Sequence, residues 1–150
     1  MVEAVIVTNQ ERIKYLKRYV ILDREINRKQ AEVDKLRTML VKVTASFSHT
    51  PKGGGSIYSK TESVVAKIVE LENEINTSID NLIDIKQSIY RIIESVKDDK
   101  ERQLLQYRYL DGMTFEWIAG EMFYSWRWIH ILHKRAISKV CILVHIEKVI

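Results

Sequence analysis

The sequence predicts an all-α protein in which a long antiparallel helical hairpin is followed by a C-terminal three-helix domain of the helix-turn-helix type. Three observations predict it. Two long segments repeat apolar residues at spacings of three and four, one Pro- and Gly-containing segment separates them, and the repeat gives way after residue 98 to short segments with their own start and stop signals. The total of 5 Gly and 1 Pro is too low for the many turns of a β-sandwich. We place the domain boundary between 1–98 and 99–150.

The hairpin is predicted from two apolar seams. In the first helix, from about Asn9 to Thr44, Thr8 or Asn9 can cap the start, and Lys29 alone interrupts the seam. The segment 46–59 is predicted to be the linker, because Pro51 ends helices and the glycines that follow it are flexible. The period then returns from about Thr61 to Val96, with Ser78 at one seam position. The seam residues are Tyr19, Leu22, Ile26, Val33, Leu36, Leu40 and Val43, and then Ile68, Leu71, Ile75, Leu82, Ile85, Ile89, Ile92 and Val96.

Charge favours the pairing of these two helices with each other. The first helix has an excess of Lys and Arg and the second an excess of Asp and Glu, so an antiparallel arrangement places opposite charges together. An exposed ion pair contributes only ~0.2–1 kcal/mol, so burial of the seams must supply most of the stability. The alternative is a coiled coil between two chains. We favour the intrachain hairpin because the linker is long enough to turn back.

The C-terminal segment carries the signals of a helix-turn-helix unit. Asp111-Gly112 ends one short helix, Thr114 can cap the next, and Ser125 can cap the last, predicted over 125–140. The turn between the last two helices is short, and Ala119 is small enough for their axes to approach closely.

Here the sequence resembles a known family. The stretch LQYRYLDGMTFEWIA (105–119) resembles the first half of region 4 of bacterial sigma factors, and Tyr124 to Ile137 resembles its recognition helix. A helical hairpin ahead of such a domain is similar to phage proteins of the ArpU and RinA type, which regulate late genes. The resemblance implies a sequence-specific regulator that binds duplex DNA of phage or prophage genes in the bacterial cytoplasm, and not an enzyme. Two departures are Phe123, where Gly or Asn is usual, and the tryptophans of the last helix.

The candidate DNA-binding residues follow from this helix. With Ile129, Leu132 and Ala136 facing inward, the polar side chains of this helix project outward, and the segment 125–140 contains four Lys or Arg residues and no acid. In the first turn an arginine can reach a guanine edge, later basic residues suit phosphates, and the start of the preceding helix can hold a phosphate. The predicted set is Arg108, Thr114, Ser125, Trp126, Arg127, Trp128, His130, His133, Lys134 and Arg135.

No cofactor and no metal are predicted. The pairs His130/His133 and Cys141/His145 are too weak for a zinc site, and the glycines at 53–55 lack the Gly-Lys-Ser/Thr ending of a phosphate loop. A single cysteine permits no intrachain disulfide and fits a reducing cytoplasm, and the short apolar start does not predict a membrane span.

Duplex DNA is the predicted partner, followed by RNA polymerase and by a second copy bound through the hairpin or the apolar termini (1–7 and 140–150). The protein can alternatively be a terminase small subunit, which also combines a helix-turn-helix with a helical oligomerisation element; a ring of many subunits would favour that function. A second alternative is an adaptor whose tryptophan-bearing face binds RNA polymerase without touching DNA. Trp126 and Trp128 can either pack against protein or contact DNA, and the sequence does not decide between the two.

Overall fold

The computed structural model describes residues 8–47 and 54–141, and across these residues the chain is helical without a strand. The five α-helices are α1 (Asn9–Phe47), α2 (Gly54–Glu94), α3 (Asp99–Leu105), α4 (Phe115–Met122) and α5 (Trp126–Lys139). A π-helical turn, Gln106–Leu110, continues α3. The predicted all-α class, with a long hairpin and a C-terminal helical domain, is confirmed.

The chain forms two compact units. One runs from Leu22 to Leu82, and the other joins the residues up to Ile21 to those from Ile83 onward. The first, called the hairpin unit here, contains parts of α1 and α2. The second, called the C-terminal unit, contains the start of α1, the end of α2 and all of α3–α5. The domain boundary at residue 98 stays a prediction.

The hairpin unit confirms the pairing of the two seams within one chain. Its buried cluster takes Ile26 and Val33 from α1 and three residues of the α2 seam, Ile68, Leu71 and Ile75. Lys29 interrupts the apolar seam of α1 and forms an ion pair across the hairpin. Its Nζ lies 3.2 Å from a carboxylate oxygen of Glu74 on α2. Arg37 forms a second ion pair, with Glu72. The opposite charges of the two helices therefore meet, as their distribution predicted.

The linker is shorter than predicted. We expected it over 46–59, but α1 continues to Phe47 and α2 begins at Gly54. Glycine costs about 1 kcal/mol relative to alanine inside a helix, and a long packed helix can offset that cost. Pro51 and the other residues between the two helices lie outside the described part of the chain.

The core of the C-terminal unit joins all five helices. Fully buried side chains come from α1 (Leu16), α2 (Ile89, Ile93), α3 (Leu104, Leu105), α4 (Ile118) and α5 (Ile129, Ile137). Leu16 and Ile93 lie outside the predicted seams. We predicted the seams on the assumption that each long helix has one partner. In the C-terminal unit α1 and α2 also pack against the short helices and therefore bury a wider face.

Local capping signals fix where the helices begin. Thr8 and Glu11 cap α1 reciprocally: the Thr8 backbone N–H donates to Glu11 Oε2 at 2.8 Å, and the Glu11 N–H donates to Thr8 Oγ1 at 3.3 Å. Asp98 caps α3, and its pKa is lowered chiefly by the hydrogen bond from the Glu101 backbone N–H. Within 8–47 and 54–141, none of the helices has the length and apolarity needed to cross a membrane.

Candidate nucleic-acid interface

A tight corner joins α4 to α5. The chain turns at Phe123, whose backbone is left-handed with φ 58° and ψ 38°. The Phe123 N–H donates to the Gly120 carbonyl at 3.3 Å, and the Tyr124 N–H donates to the Ala119 carbonyl at 3.0 Å. A residue other than Gly, Asn or Asp rarely adopts this conformation, which costs roughly 1–2 kcal/mol. The Phe123 side chain, 93% exposed, gains almost nothing from packing in return.

The two helices that meet at this corner pack as the sequence predicted. Thr114 and Ser125 are the N-caps of α4 and α5, accepting hydrogen bonds from the backbone N–H groups of Trp117 (3.2 Å) and Trp128 (3.1 Å). Ala119 is buried at the helix contact. Ile129, Leu132 and Ala136, which were predicted to face inward from α5, are buried. The other buried residues of the two helices are Ile118, Ala119 and Met122 of α4 and His133 and Ile137 of α5. The predicted inward packing of α5 is therefore confirmed.

The outer side of α5 is exposed and free of acidic residues. Arg127, Lys134 and Arg135 lie on it, and the whole of Trp126–Lys139 contains no Asp or Glu. Ser125 is exposed at its start. The module therefore presents a positive helix face to solvent, although the assignment of individual DNA contacts on it stays a prediction.

Each of the two tryptophan rings of α5 is partly covered by a neighbouring side chain. The Trp126 ring lies 4.0 Å from the His130 ring, centroid to centroid, and remains 58% exposed. The Trp128 ring has the Arg135 guanidinium 5.4 Å from its centroid and Tyr124 at its edge. Trp128 is 38% exposed. Both rings thus keep surface for a partner while helping to hold nearby side chains.

His133 does not face outward, and this prediction was wrong. Only 9% of the residue is exposed, and His133 Nε2 and the Tyr109 hydroxyl share a hydrogen bond of 2.7 Å. His133 follows Ile129 by four positions and precedes Ile137 by four, so it continues the buried stripe of α5. Burial lowers the pKa of His133 to about 4, with Arg108, His130 and Lys17 adding to the effect. His133 is therefore uncharged near neutral pH.

Tyr109 reaches His133 from the π-helical turn. Burial raises the pKa of Tyr109 to about 12, so the pair is neutral and hydrogen-bonded at physiological pH. The turn is marked by the hydrogen bond from the Asp111 N–H to the Gln106 carbonyl at 3.0 Å. Sequence periodicity did not indicate this turn, because one widened turn hardly changes the apolar pattern of a short helix.

His130 is half-buried, which corrects the expectation that it projects outward. Its ring lies between Trp126 and Phe115, whose ring centroid is 4.7 Å away. His130 Nε2 is buried and has no hydrogen-bond partner in the described part of the chain. His130 therefore supports the Trp126 ring more than it adds an exposed donor to the α5 face.

Arg108 and Thr114 lie on either side of the connection into α4, and both have structural partners. Arg108 is half-buried, donates from Nη1 to the Met113 carbonyl at 2.9 Å, and places its guanidinium carbon 4.2 Å from the Phe115 ring centroid. Thr114 is exposed and uses Oγ1 as the cap. Between them Gly112 has φ 69°, which explains why glycine stands at the end of the π-helical turn.

A buried carboxylate ties the far end of α5 to α3, and sequence reasoning missed it. Glu101 is 3% exposed, and both of its carboxylate oxygens accept from Lys139 Nζ, at 2.9 and 2.8 Å. The two residues are far apart in sequence, so no local pattern could have paired them. In the residues that the structure describes, no three His, Cys, Asp or Glu side chains come close enough to share a metal ion. The Cys141/His145 pair is not covered, because His145 lies outside these residues.

The capped helices, the left-handed corner, the small residue at the helix contact and the cationic second helix define a DNA-binding helix-turn-helix module. Residues 98–140 match the family Sigma-70, region 4. This family comprises DNA-binding domains and is not an enzyme family. The chain has no match among curated proteins or among solved structures. The resemblance to region 4 is thereby confirmed for this segment, while the relation to the ArpU and RinA regulators stays a prediction.

Proposed function

We propose that this protein is a regulator of phage or prophage transcription that binds duplex DNA sequence-specifically through α5, in the cytoplasm of a bacterial host and without catalytic activity of its own. The observation that carries the proposal is the exposed, acid-free outer face of α5 on a module of the region 4 type. Such a helix fits the major groove, where base edges carry a distinct pattern of donors and acceptors.

The roles of the α5 residues differ with their positions. Arg127 stands in the first turn, nearest the groove, and suits bidentate contact with a guanine edge. Lys134 and Arg135 lie farther along and suit phosphates, which set affinity rather than sequence preference. The start of α4 at Thr114 offers free backbone N–H groups to a second phosphate. Because His133 is buried and uncharged, we assign it the task of holding α5 in place and not a contact.

The test measures duplex binding as a function of salt for the parent chain and for Arg127→Ala and Lys134→Ala. Loss of Arg127 should relax sequence preference and cost about 1–3 kcal/mol on the preferred site. Loss of Lys134 should weaken all duplexes alike and lower the slope of log K against log salt by about 1. Lys100→Ala, an exposed lysine outside α5, is the control. Binding that neither α5 variant alters would defeat the proposal.

We also propose that the hairpin unit pairs with a second copy of the chain. On α2 the side chains of Val65, Val69 and Ile79 are exposed, and their spacing places them on one side of the helix. Charge-lined apolar stripes of this kind are typical of helix-to-helix contacts. Sedimentation of the parent and of Val65→Lys/Val69→Lys tests this: a dimer that the variant converts to monomer supports it, and a ring of many subunits would favour the terminase function instead.

The adaptor function has one observation in its favour. Phe123 and Trp117 are exposed by 93% and 43%, and α4 adds Glu116 and Glu121, a mixture of aromatic and acidic side chains that suits a protein better than a phosphate backbone. RNA polymerase is the partner we propose for this surface. Copurification of polymerase with the parent, lost in Phe123→Ser, together with no affinity for duplex DNA, would establish the adaptor function over the regulator.

A further inference from the structure

The start of α1 is the second strongly basic element of the C-terminal unit. From Asn9 to Ile21 it carries Arg12, Lys14, Lys17 and Arg18 against Glu11 alone. From Ile83 to Tyr124, by contrast, the eight acidic residues outnumber the six basic ones. Positive charge in the described part of this unit is therefore concentrated in two places, the beginning of α1 and the length of α5.

These two basic elements are neighbours. Arg12 Nη1 donates to the Ser138 carbonyl near the end of α5, at 3.3 Å. Leu16 is fully buried in the cluster that also holds Ile129 and Ala136 of α5. The charge of Lys17, the next residue, contributes to the lowered pKa of His133 on α5. The start of α1 thus lies alongside α5.

The same stretch of α1 also passes the connection that leads into α4. A methyl group built on Gly112 would lie 3.6 Å from a side-chain methyl of Val20. The beginning of α1 is therefore adjacent to both parts of the helix-turn-helix that approach DNA in the proposed function, the recognition helix and the entry to the preceding helix.

Two of the four basic residues of this stretch have other partners. Arg12 bonds to Ser138, and the Arg18 guanidinium lies 5.2 Å from the centroid of the Tyr15 ring. Lys14 and Lys17 are exposed, stand three positions apart on neighbouring turns of one side, and form no ion pair in the part of the chain that the structure describes. They are the charges available to an external anion.

We propose that Lys14 and Lys17 bind the phosphate backbone of the same duplex that α5 enters, so that the first turns of α1 form a second DNA contact beside the helix-turn-helix. The inference rests on the proposed function. The occupant is inferred from charge complementarity and from continuity with the α5 face. Lysines that contact phosphates do not distinguish one base from another. The α1 contact therefore adds affinity and salt dependence, and sequence preference comes from α5.

The experiment compares Lys14→Gln/Lys17→Gln with a matched control, Lys97→Gln/Lys100→Gln, in the full-length chain. The control removes two exposed lysines, also three positions apart and in the same unit, that stand among acidic residues. Binding to a random-sequence duplex of about 30 base pairs is followed by fluorescence anisotropy between about 50 and 200 mM salt. Circular dichroism and the thermal midpoint establish that both variants fold like the parent.

We expect the α1 double variant to bind at least about tenfold more weakly at ~100 mM salt and to lower the salt slope by about 1.8, two phosphates' worth, while the control stays near the parent. Equal affinities and slopes for the two double variants overturn the inference. So does a loss of binding to an acidic polypeptide, such as poly-glutamate, that exceeds the loss for duplex, since the lysines would then serve an acidic protein surface.

A third variant, Arg127→Ala/Lys134→Ala, separates this inference from the proposed function. If the parent binds duplex and the α5 variant weakens it while the α1 variant does not, the inference fails and the proposed function stands. If the parent does not bind duplex, both fail. If the α1 variant alone weakens binding, the α1 contact is supported and α5 loses its assigned role.

Discussion

Acid should destabilise this protein through His133. Because burial lowers the pKa of this imidazole from 6.5 to about 4, the folded chain resists a proton that the unfolded chain accepts readily. Well above pH 6.5 neither state is protonated, and the titration of His133 does not change stability with pH. As the pH falls through 6.5 the unfolded state gains the proton first, and stability is lost continuously until the pH reaches about 4, below which both states are protonated.

The size of the effect follows from the two pKa values. A change from 6.5 to about 4 corresponds to about 3 kcal/mol over the full range, of which about 2 kcal/mol should be lost between pH 7 and pH 5. The buried His133 imidazole makes two close contacts. One is the 2.7 Å hydrogen bond with the Tyr109 hydroxyl, and the other is an edge-on contact with Phe115, whose ring centroid is 4.9 Å from the imidazole centroid. Typical domains are stable by only 5–15 kcal/mol, so this loss is readily measured.

Urea denaturation at pH 7 and pH 5, for the parent and for His133→Gln, measures it. Glutamine can still bond to the Tyr109 hydroxyl but does not titrate, so the variant should lose about 2 kcal/mol less than the parent over this interval. His130→Gln, which changes the neighbouring half-buried imidazole, should retain the His133 contribution. Proton NMR should show a His133 midpoint near 4. Equal pH dependence in the parent and His133→Gln, or a midpoint near 6.5, would refute the reasoning.

Three further predictions concern backbone strain and a buried charge. Phe123→Gly should raise the free energy of unfolding by about 1 kcal/mol in urea denaturation, because glycine tolerates the left-handed corner, whereas Phe123→Ala keeps the strain and should not. Gly112→Ala should lower stability by about 1 kcal/mol because φ is 69° there, and a gain in stability would contradict this. Gly120→Ala, in open space on α4, should raise stability by up to ~1 kcal/mol, and a loss would contradict that. Lys139→Met should cost about 1–3 kcal/mol by leaving the Glu101 carboxylate buried and unpaired, and an unchanged thermal midpoint would count against that pairing.

The hairpin and the helix starts could be predicted because their signals are local or repeat many times. The α1 and α2 seams recur over many turns, so a single polar interruption such as Lys29 does not obscure them. Caps such as Thr114 and Ser125 act on backbone groups two or three positions away, and each was placed correctly from its immediate neighbours. In both cases the pattern that predicts the structure is contained in a short stretch of sequence.

The candidate site was less predictable where a third element decides burial. A helix packed on one neighbour buries a narrow stripe, and on that assumption His133 belongs to the outer face of α5. The four-residue spacing of His133 to Ile129 and Ile137 was the one signal within α5 that could have placed it inside. Tyr109 and Phe115, from other elements, cover it. The same applies to Glu101, whose acidic side chain is buried only because Lys139 comes from another helix. Sequence therefore predicted the exposed charges of the site better than its buried polar pairs.

Phe123 shows which forces hold the corner of the module. If the turn residue determined the corner, a phenylalanine there should have opened it, yet the backbone adopts the left-handed conformation without compensating contacts from a side chain that is 93% exposed. Burial of Ile118 and Ile129 on either side of the corner contributes about 1.5–3 kcal/mol for each side chain, more than the strain of roughly 1–2 kcal/mol. The packing of α4 on α5 therefore imposes the turn. A large exposed aromatic at such a position does not serve the stability of the fold, which glycine would serve better, and it is one reason to test the polymerase-binding surface proposed above.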